Sequence, residues 1–115
     1  MTPPPISEAE WQAQVVDLAT MLGYQVLHVR RSIGGTKQGW RTTTSIVGWP
    51  DLLCFGPRGI VALELKVGKN RPTAEQLAVL TALEQAGARV MVAWPADLDA
   101  VVALLTPAAK PATLT

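Results

Sequence analysis

Asp51, Glu64 and Lys66 are the residues of this sequence whose types and spacing are best suited to chemistry. Asp51 begins one predicted β-strand, whereas Glu64 and Lys66 lie in the next one. The four residues between these strands, 56–59, are Gly-Pro-Arg-Gly, a turn-forming composition that predicts a β-hairpin. Such a hairpin brings the two acids and the lysine to the same end of a sheet.

The expected register of this hairpin sets the two acids opposite each other. A symmetric turn places Phe55 opposite Ile60, and counting back along the ladder places Asp51 opposite Glu64. Directly opposed side chains lie about 5 Å apart, and like charges there are destabilising. At an effective dielectric of about 20 their repulsion is on the order of 3 kcal/mol. A divalent cation between the carboxylates turns this repulsion into ligation, and hard oxygen ligands suit Mg²⁺ or Mn²⁺.

Carboxylates around a metal ion with a nearby lysine suit the hydrolysis of phosphodiester bonds. The metal neutralises phosphate charge and generates hydroxide near neutral pH. Lys66 shares the face of Glu64, two residues further on, so it is expected to orient or deprotonate the attacking water, or to hold a phosphate oxygen. The carbonyl oxygen of Leu65, between these residues, is a further candidate ligand.

A third carboxylate is expected from the first helix, where Glu8 and Glu10 are the alternatives. Glu10 is the third residue after Ser7, which is the spacing of a capping box. Glu8 lies three and seven residues before Trp11 and Val15, on the expected inward side of the helix. An acid there needs a partner or a metal ion, so Glu8 is preferred. Its alternative role is that of a first-turn acid complementing the helix dipole.

Gln76 has two interpretations. Thr73 and Gln76 have capping-box spacing at the start of the second predicted helix, which is a sufficient structural explanation. Because that helix begins soon after Lys66, Gln76 is also a candidate active-site residue.

Positive charge is concentrated in the middle of the chain, although the formal net charge is only +1. Residues 31–47 form a long predicted loop rich in Gly, Thr and Ser, and loops of more than about 12–15 residues in a compact domain are commonly functional. We expect this loop and the connection after the hairpin to contact DNA phosphates, which gives affinity rather than sequence readout. The residues predicted to bind DNA are Arg30, Arg31, Lys37, Trp40, Arg41, Lys69 and Arg71.

Hydrophobic periodicity predicts an α/β domain of order αβββαβα, with a central mixed sheet flanked by helices. We expect a loose lead over residues 1–6, one folded domain over 7–105 and a flexible tail over 106–115. Trp11 and Trp94 are expected in the core.

The single cysteine, Cys54, excludes an intramolecular disulfide and a cysteine-rich zinc site, and its apolar strand predicts a buried thiol. The absence of a leader and of an apolar run of about 20 residues predicts a cytoplasmic protein that does not enter a membrane. We expect no small-molecule cofactor.

Four segments together resemble the successive motifs of a known family. Residues 7–12 (SEAEWQ), 48–52 (GWPDL), 64–66 (ELK) and 73–76 (TAEQ) look like those of the VRR-NUC (virus-type replication-repair nuclease) family of the PD-(D/E)XK superfamily. The resemblance implies a restriction-endonuclease-like PD-(D/E)XK core. It also implies metal ligation by Glu8, Asp51 and Glu64, a catalytic role for Lys66 and an active-site role for Gln76.

The same resemblance implies a homodimer that acts on branched DNA with Mg²⁺ or Mn²⁺, as Holliday-junction resolvases do. A flap, nick or restriction-type endonuclease and a non-catalytic DNA-binding module are the alternatives. The loop over residues 31–47 is longer than is usual before the Gly-x-Pro-Asp motif.

Overall fold

The structure, a computed structural model, describes residues 5–29 and 47–106. Its elements in chain order are α1 (Glu8–Met21), β1 (Gln25–His28), β2 (Leu52–Gly56), β3 (Gly59–Leu65), α2 (Ala74–Gln85), β4 (Arg89–Ala93) and, after a 3₁₀ turn at Pro95–Asp97, α3 (Leu98–Leu105). The predicted order αβββαβα is confirmed. The predicted lead and tail lie mostly outside the described residues, so the boundaries at 6 and 106 stay predictions.

The four strands form one mixed sheet in the order β1-β2-β3-β4. The pairs β1–β2 and β2–β3 are antiparallel, and β3–β4 is parallel. A parallel pair needs a crossover connection, and α2 supplies it. Strand β4, which α2 connects to β3, therefore lies beside the second strand of the β2–β3 hairpin.

Capping boxes begin both long helices. The Ser7 hydroxyl accepts from the Glu10 N–H at 3.1 Å, and the Glu10 carboxylate accepts from the Ser7 N–H at 2.9 Å. These hydrogen bonds lower the pKa of Glu10, the one from the Ser7 backbone most of all. Thr73 and Gln76 form the same pair of bonds at the start of α2, at 3.1 and 2.8 Å. The capping role predicted for Glu10 is thus confirmed.

The hydrophobic core lies between one face of the sheet and helices α1 and α3. Trp11 is completely buried there, as predicted. The other core residues include Val15, Ala19, Leu52, Cys54, Val61, Leu63, Leu65, Val101 and Leu105. Two long-range contacts secure the end of α3, because the Tyr24 hydroxyl donates to the Leu105 carbonyl at 2.8 Å and Arg58 donates to the Thr106 carbonyl at 2.9 Å.

Within residues 5–29 and 47–106, the opposite face of the sheet is only partly covered. Helix α2 packs on β3 and β4. Strand β3 is consequently buried on both faces from Val61 to Leu65. On the β1–β2 side the apolar residues Leu27, Phe55 and Ile60 are exposed. No helix in the described ranges has both the length and the apolar character needed to cross a bilayer.

Candidate active site

The register of the β2–β3 hairpin places Asp51 beside Glu64. Phe55 pairs with Ile60, as predicted, and the last pair of the ladder is Leu52 with Leu63. Asp51 comes one residue before this pair, so the same register sets it opposite Glu64. The two acids therefore meet where β2 begins and β3 ends.

A backbone hydrogen bond orients Asp51 towards the end of β3. Its Oδ2 accepts from the Leu65 N–H at 2.8 Å, in a buried environment. Asp51 itself is only 9% exposed. This side-chain bond takes the place of the next backbone bond between β2 and β3. It holds the carboxylate against the end of β3 instead of leaving it in solvent.

Glu64 and Lys66 form a buried ion pair. The Lys66 Nζ lies 3.0 Å from Glu64 Oε2; the carboxylate side chain is fully buried and the lysine side chain is 13% exposed. A carboxylate withdrawn from water needs compensation by charge and hydrogen bonds. The lysine supplies positive charge at 3.0 Å from this carboxylate.

The position of Lys66 is fixed by its neighbours on both sides. Its backbone N–H donates to the Ala93 carbonyl at the end of β4, at 2.9 Å. The same carbonyl accepts from the Trp11 indole N–H of α1 at 3.0 Å. Strand β4 and helix α1 thus hold the backbone from which the lysine side chain extends.

Gly48 fixes the approach of the chain to Asp51. Its φ is +96°, and a Cβ built on it would lie 2.6 Å from the backbone carbon of Glu75 and 2.8 Å from the Gln76 nitrogen. Only glycine combines this conformation with so close an approach to backbone. The turn before Asp51 therefore packs against the first turn of α2.

Gln76 lies in that first turn and is 3% exposed. Its side-chain oxygen accepts from the Thr73 N–H at 2.8 Å, so the capping interpretation is confirmed. Its proximity to Gly48 puts it near the turn that carries Asp51. The active-site role of Gln76 stays a prediction.

Glu8 is not brought into this cluster. It is exposed in the first turn of α1, so the expectation that it faces inward is wrong. Within residues 5–29 and 47–106, no group of three or more His, Cys, Asp and Glu side chains is placed to hold a metal ion. Metal ligation by Glu8 stays a prediction from the family resemblance.

The chemistry of the donor set fits Mg²⁺ or Mn²⁺. Asp51 and Glu64 offer carboxylate oxygens at opposed positions, and the Leu65 carbonyl lies between Glu64 and Lys66 in the chain. Mg²⁺ is usually bound by one or two protein carboxylates, with water and substrate phosphates completing its coordination. Two acids are therefore enough for this class of ion.

The residues predicted to bind DNA divide into two groups. Lys69 and Arg71 are exposed on the connection between β3 and α2. The others, Arg30, Arg31, Lys37, Trp40 and Arg41, lie outside the described residues.

Trp94 is the residue near this site that sequence reasoning missed. The expectation that it lies in the core is wrong, since it is half-buried and follows directly after β4. Its ring centroid lies 5.7 Å from the Arg71 guanidinium, and its indole N–H donates to the Asn70 carbonyl at 3.1 Å. The parallel pairing of Leu65 with Ala93 is the signal that would have placed Trp94 beside Lys66.

Known proteins resemble this chain in structure. No protein-family model and no curated protein matches its sequence. A solved VRR_NUC domain is 26% identical, with a TM-score of 0.60 over 84% of this chain and 94% of its own. A VRR_NUC domain protein is 19% identical, with a TM-score of 0.61 over 89% of this chain and 87% of its own.

A third structure is that of Hjc, a Holliday junction resolvase from the archaeal hyperthermophile Archaeoglobus fulgidus. It is 16% identical, with a TM-score of 0.50 over 76% of this chain and 69% of its own. The chain has the restriction-endonuclease-like α/β fold that these structures share, and its predicted resemblance to VRR-NUC domains is confirmed.

Proposed function

We propose that this chain is a divalent-metal-dependent, structure-specific DNA endonuclease that works as a homodimeric Holliday-junction resolvase in the cytoplasm. The observation that carries the proposal is the buried Glu64–Lys66 pair at the position opposite Asp51. A binding module has no need of two opposed carboxylates with an ammonium group beside them. The structural similarity to VRR_NUC domains and to an archaeal resolvase supports the same conclusion.

In this proposal Asp51 and Glu64 hold Mg²⁺ or Mn²⁺, with the Leu65 carbonyl and Glu8 as further candidate ligands. When bound, the cation neutralises phosphate charge and lowers the pKa of water. The Leu65 N–H keeps the Asp51 carboxylate in place through the 2.8 Å hydrogen bond, so little reorganisation is needed on binding.

Lys66 acts on the reacting groups. Its ammonium has three N–H donors, and one direction is taken by Glu64 at 3.0 Å. The others are available to donate to a phosphate oxygen or to the attacking water, which the ammonium group orients; deprotonation of that water requires the neutral amine, whose lone pair accepts the proton. The Glu64 carboxylate fixes the side chain, and the slight exposure of Lys66 gives substrate access to it.

The test is cleavage of a synthetic four-way junction in Mg²⁺ or Mn²⁺ by the wild type and by Asp51→Asn, Glu64→Gln and Lys66→Met. Asp51→Asn is informative because an amide oxygen still accepts from the Leu65 N–H while the negative charge is lost. We expect each variant to lose about 10²-fold or more in rate, the usual scale for removing a charge-stabilising or acid–base group. Glu84→Gln, an exposed change in the last turn of α2, is the matched control. Equal rates in all variants would reject the assignment.

Substrate comparison separates the alternatives. Faster cleavage of flaps or nicked duplexes than of junctions indicates a flap or nick endonuclease, and site-specific cuts in plain duplex indicate a restriction-type enzyme. Metal titration by calorimetry separates an enzyme from a binding module. Heat of metal binding that is lost in Glu64→Gln supports the enzyme, whereas DNA affinity without metal binding supports the module.

A further inference from the structure

The connection between β3 and α2 forms a basic surface next to Lys66. Lys69 and Arg71 are both exposed there, and Arg71 lies over the ring of Trp94. Lys69, Asn70, Arg71 and Trp94 are together called the Arg71–Trp94 surface. It begins three residues after Lys66 in the chain, so a ligand that reaches the lysine also comes close to this surface.

Trp94 orders this connection through two independent contacts. Its indole N–H donates to the Asn70 carbonyl at 3.1 Å, and its ring faces the Arg71 guanidinium at 5.7 Å. The turn is closed by the Asn70 N–H, which donates to the Val67 carbonyl at 3.1 Å. A long exposed arginine ordinarily samples many rotamers, and stacking on an aromatic ring reduces that freedom before any ligand binds.

The stacked arginine keeps its capacity to bind an anion. A guanidinium that lies over an indole still presents in-plane N–H donors, whose fork geometry matches two phosphate oxygens. Lys69 adds positive charge, whereas the charge of Lys66 is paired with Glu64 at 3.0 Å. Two further acids, Glu75 and Asp97, lie in the first turns of the helices that follow β3 and β4. Asp97 already accepts from the Trp94 backbone N–H at 2.9 Å, which leaves Glu75 as the exposed acid of the first turn of α2. The surface is therefore suited to an anion.

We propose that Trp94 is a positioning residue, which holds Arg71 for contact with a DNA backbone phosphate next to the bond that is cleaved. The inference rests on the proposed function, because that function supplies the DNA strand at Lys66. The inference extends the proposed function by assigning a role to Trp94, a residue outside the candidate metal site. Trp94 raises DNA affinity by ordering Arg71 and touches no reacting atom.

A double-mutant cycle tests the proposal. Binding of a fluorescent four-way junction is measured by anisotropy without divalent metal, over a range of salt, for the wild type, Trp94→Leu, Arg71→Ala and the double variant. We expect Arg71→Ala to reduce the slope of log affinity against log salt by about 0.9, the value for one phosphate contact. Trp94→Leu should weaken binding about fivefold alone and less than about twofold in the Arg71→Ala background, because its effect passes through Arg71.

Two controls make the coupling specific. In a Lys69→Ala background, Trp94→Leu should still weaken binding about fivefold, because Lys69 is not stacked on the ring. Trp94→Phe keeps an aromatic ring while removing the indole N–H, so it should lie between the wild type and Trp94→Leu. If Trp94→Leu does not fold by circular dichroism, the cycle is carried out with Trp94→Phe.

The proposal would be overturned if Trp94→Leu lowered DNA affinity equally with and without Arg71, or did not lower it at all. It would also be overturned if the wild type did not bind DNA. The proposed function is tested separately by cleavage. Coupling in binding together with no cleavage in Mg²⁺ or Mn²⁺ would overturn the nuclease and leave the role of Trp94 standing. Cleavage that depends on Asp51, together with no coupling between Trp94 and Arg71 in binding, would support the nuclease and overturn the role of Trp94.

Discussion

At the scale of single residues, the Glu64–Lys66 pair places an acid that is withdrawn from water beside an amine that is only slightly exposed. Glu64 is fully buried, and Lys66 brings a positive charge to 3.0 Å. Buried pairs of this kind add little net stability, because desolvation offsets much of the attraction, but the loss of one partner is costly. The net stability that the pair adds is therefore small, and the proposed function gives it a role in binding a cation.

Lys66→Met is predicted to destabilise the metal-free protein and to make it respond more strongly to metal. Removing the ammonium leaves Glu64 without its lysine counter-charge and should lower the free energy of unfolding by about 1–3 kcal/mol. This is less than the usual value for breaking a buried pair, because Lys66 is partly exposed. Mg²⁺ or Mn²⁺ replaces the lost charge, and binding to the folded state alone raises Tm. Thermal melts with and without the metal should show a larger increase in Tm for Lys66→Met than for the wild type. In the double variant with Glu64→Gln the increase should disappear; an unchanged increase would contradict metal binding at Glu64.

The thiol of Cys54 is predicted to be inert in the folded protein. Burial raises the pKa of Cys54 to about 11. At pH 8 only about one molecule in 10³ then carries the reactive thiolate. Iodoacetamide should therefore leave the native chain unmodified and alkylate it fully in denaturant, as read by mass spectrometry. Because the folded pKa lies above the ordinary thiol value of about 8.5, stability should also fall as pH rises through this range towards 11. Rapid alkylation of the native protein would contradict this prediction and show that β2, the strand that contains Cys54, opens.

At the scale of elements, the site depends on the turn before β2 as much as on the strands. Gly48 lies against the first turn of α2, with φ +96° and no space for a Cβ. That contact joins the helix that follows Lys66 in the chain to the turn that carries Asp51. Displacing it moves one carboxylate relative to the other.

Gly48→Ala is accordingly predicted to reduce both stability and activity, whereas Gly87→Ala reduces stability alone. Both glycines have positive φ, at +96° and +106°, so each alanine carries backbone strain of about 1–2 kcal/mol. A Cβ at Gly87 meets nothing within 4 Å, whereas one at Gly48 overlaps the backbone of α2. We expect Gly48→Ala to have the lower urea midpoint and to cleave junctions at least about 10-fold more slowly, since small displacements at a catalytic group are costly. Equal effects of the two changes on cleavage would contradict this.

The elements could be predicted from sequence where local signals specify them. Ser7 with Glu10 and Thr73 with Gln76 marked both helix starts, and the Gly-Pro-Arg-Gly turn fixed the pairing of Phe55 with Ile60. These features depend on residues within a few positions of each other.

Features that depend on distant packing were not predictable in this way. The burial of β3 on both faces results from α2 and β4, and the exposure of Glu8 depends on where α1 lies on the sheet. Trp94 is expected in the core from its sequence, whereas the structure shows it half-buried. Its actual position depends on the parallel β3–β4 register, which no local signal specifies.

At the scale of the whole molecule, the described residues of each chain contain one such centre, at one end of the sheet. Resolution of a four-way junction requires two cuts at positions related by the two-fold symmetry of the junction. Two unlinked chains would make these cuts independently, and a single cut leaves the junction unresolved. A closed two-fold dimer supplies two centres with the required symmetry, and it is the commonest form of soluble oligomer.

Paired cutting within one dimer is therefore the prediction that tests the assembly. Light scattering should give twice the mass of one chain, and a supercoiled plasmid with an extruded cruciform should be converted directly to linear product. When the wild type is mixed and equilibrated with excess Lys66→Met, most wild-type chains have an inactive partner. Nicked circles should then accumulate, because each mixed dimer cuts one strand and the relaxed plasmid reabsorbs its cruciform. A single-chain mass, with linear product still formed in the mixture, would show that each chain acts alone, even if the chemistry at Asp51 and Glu64 is as proposed.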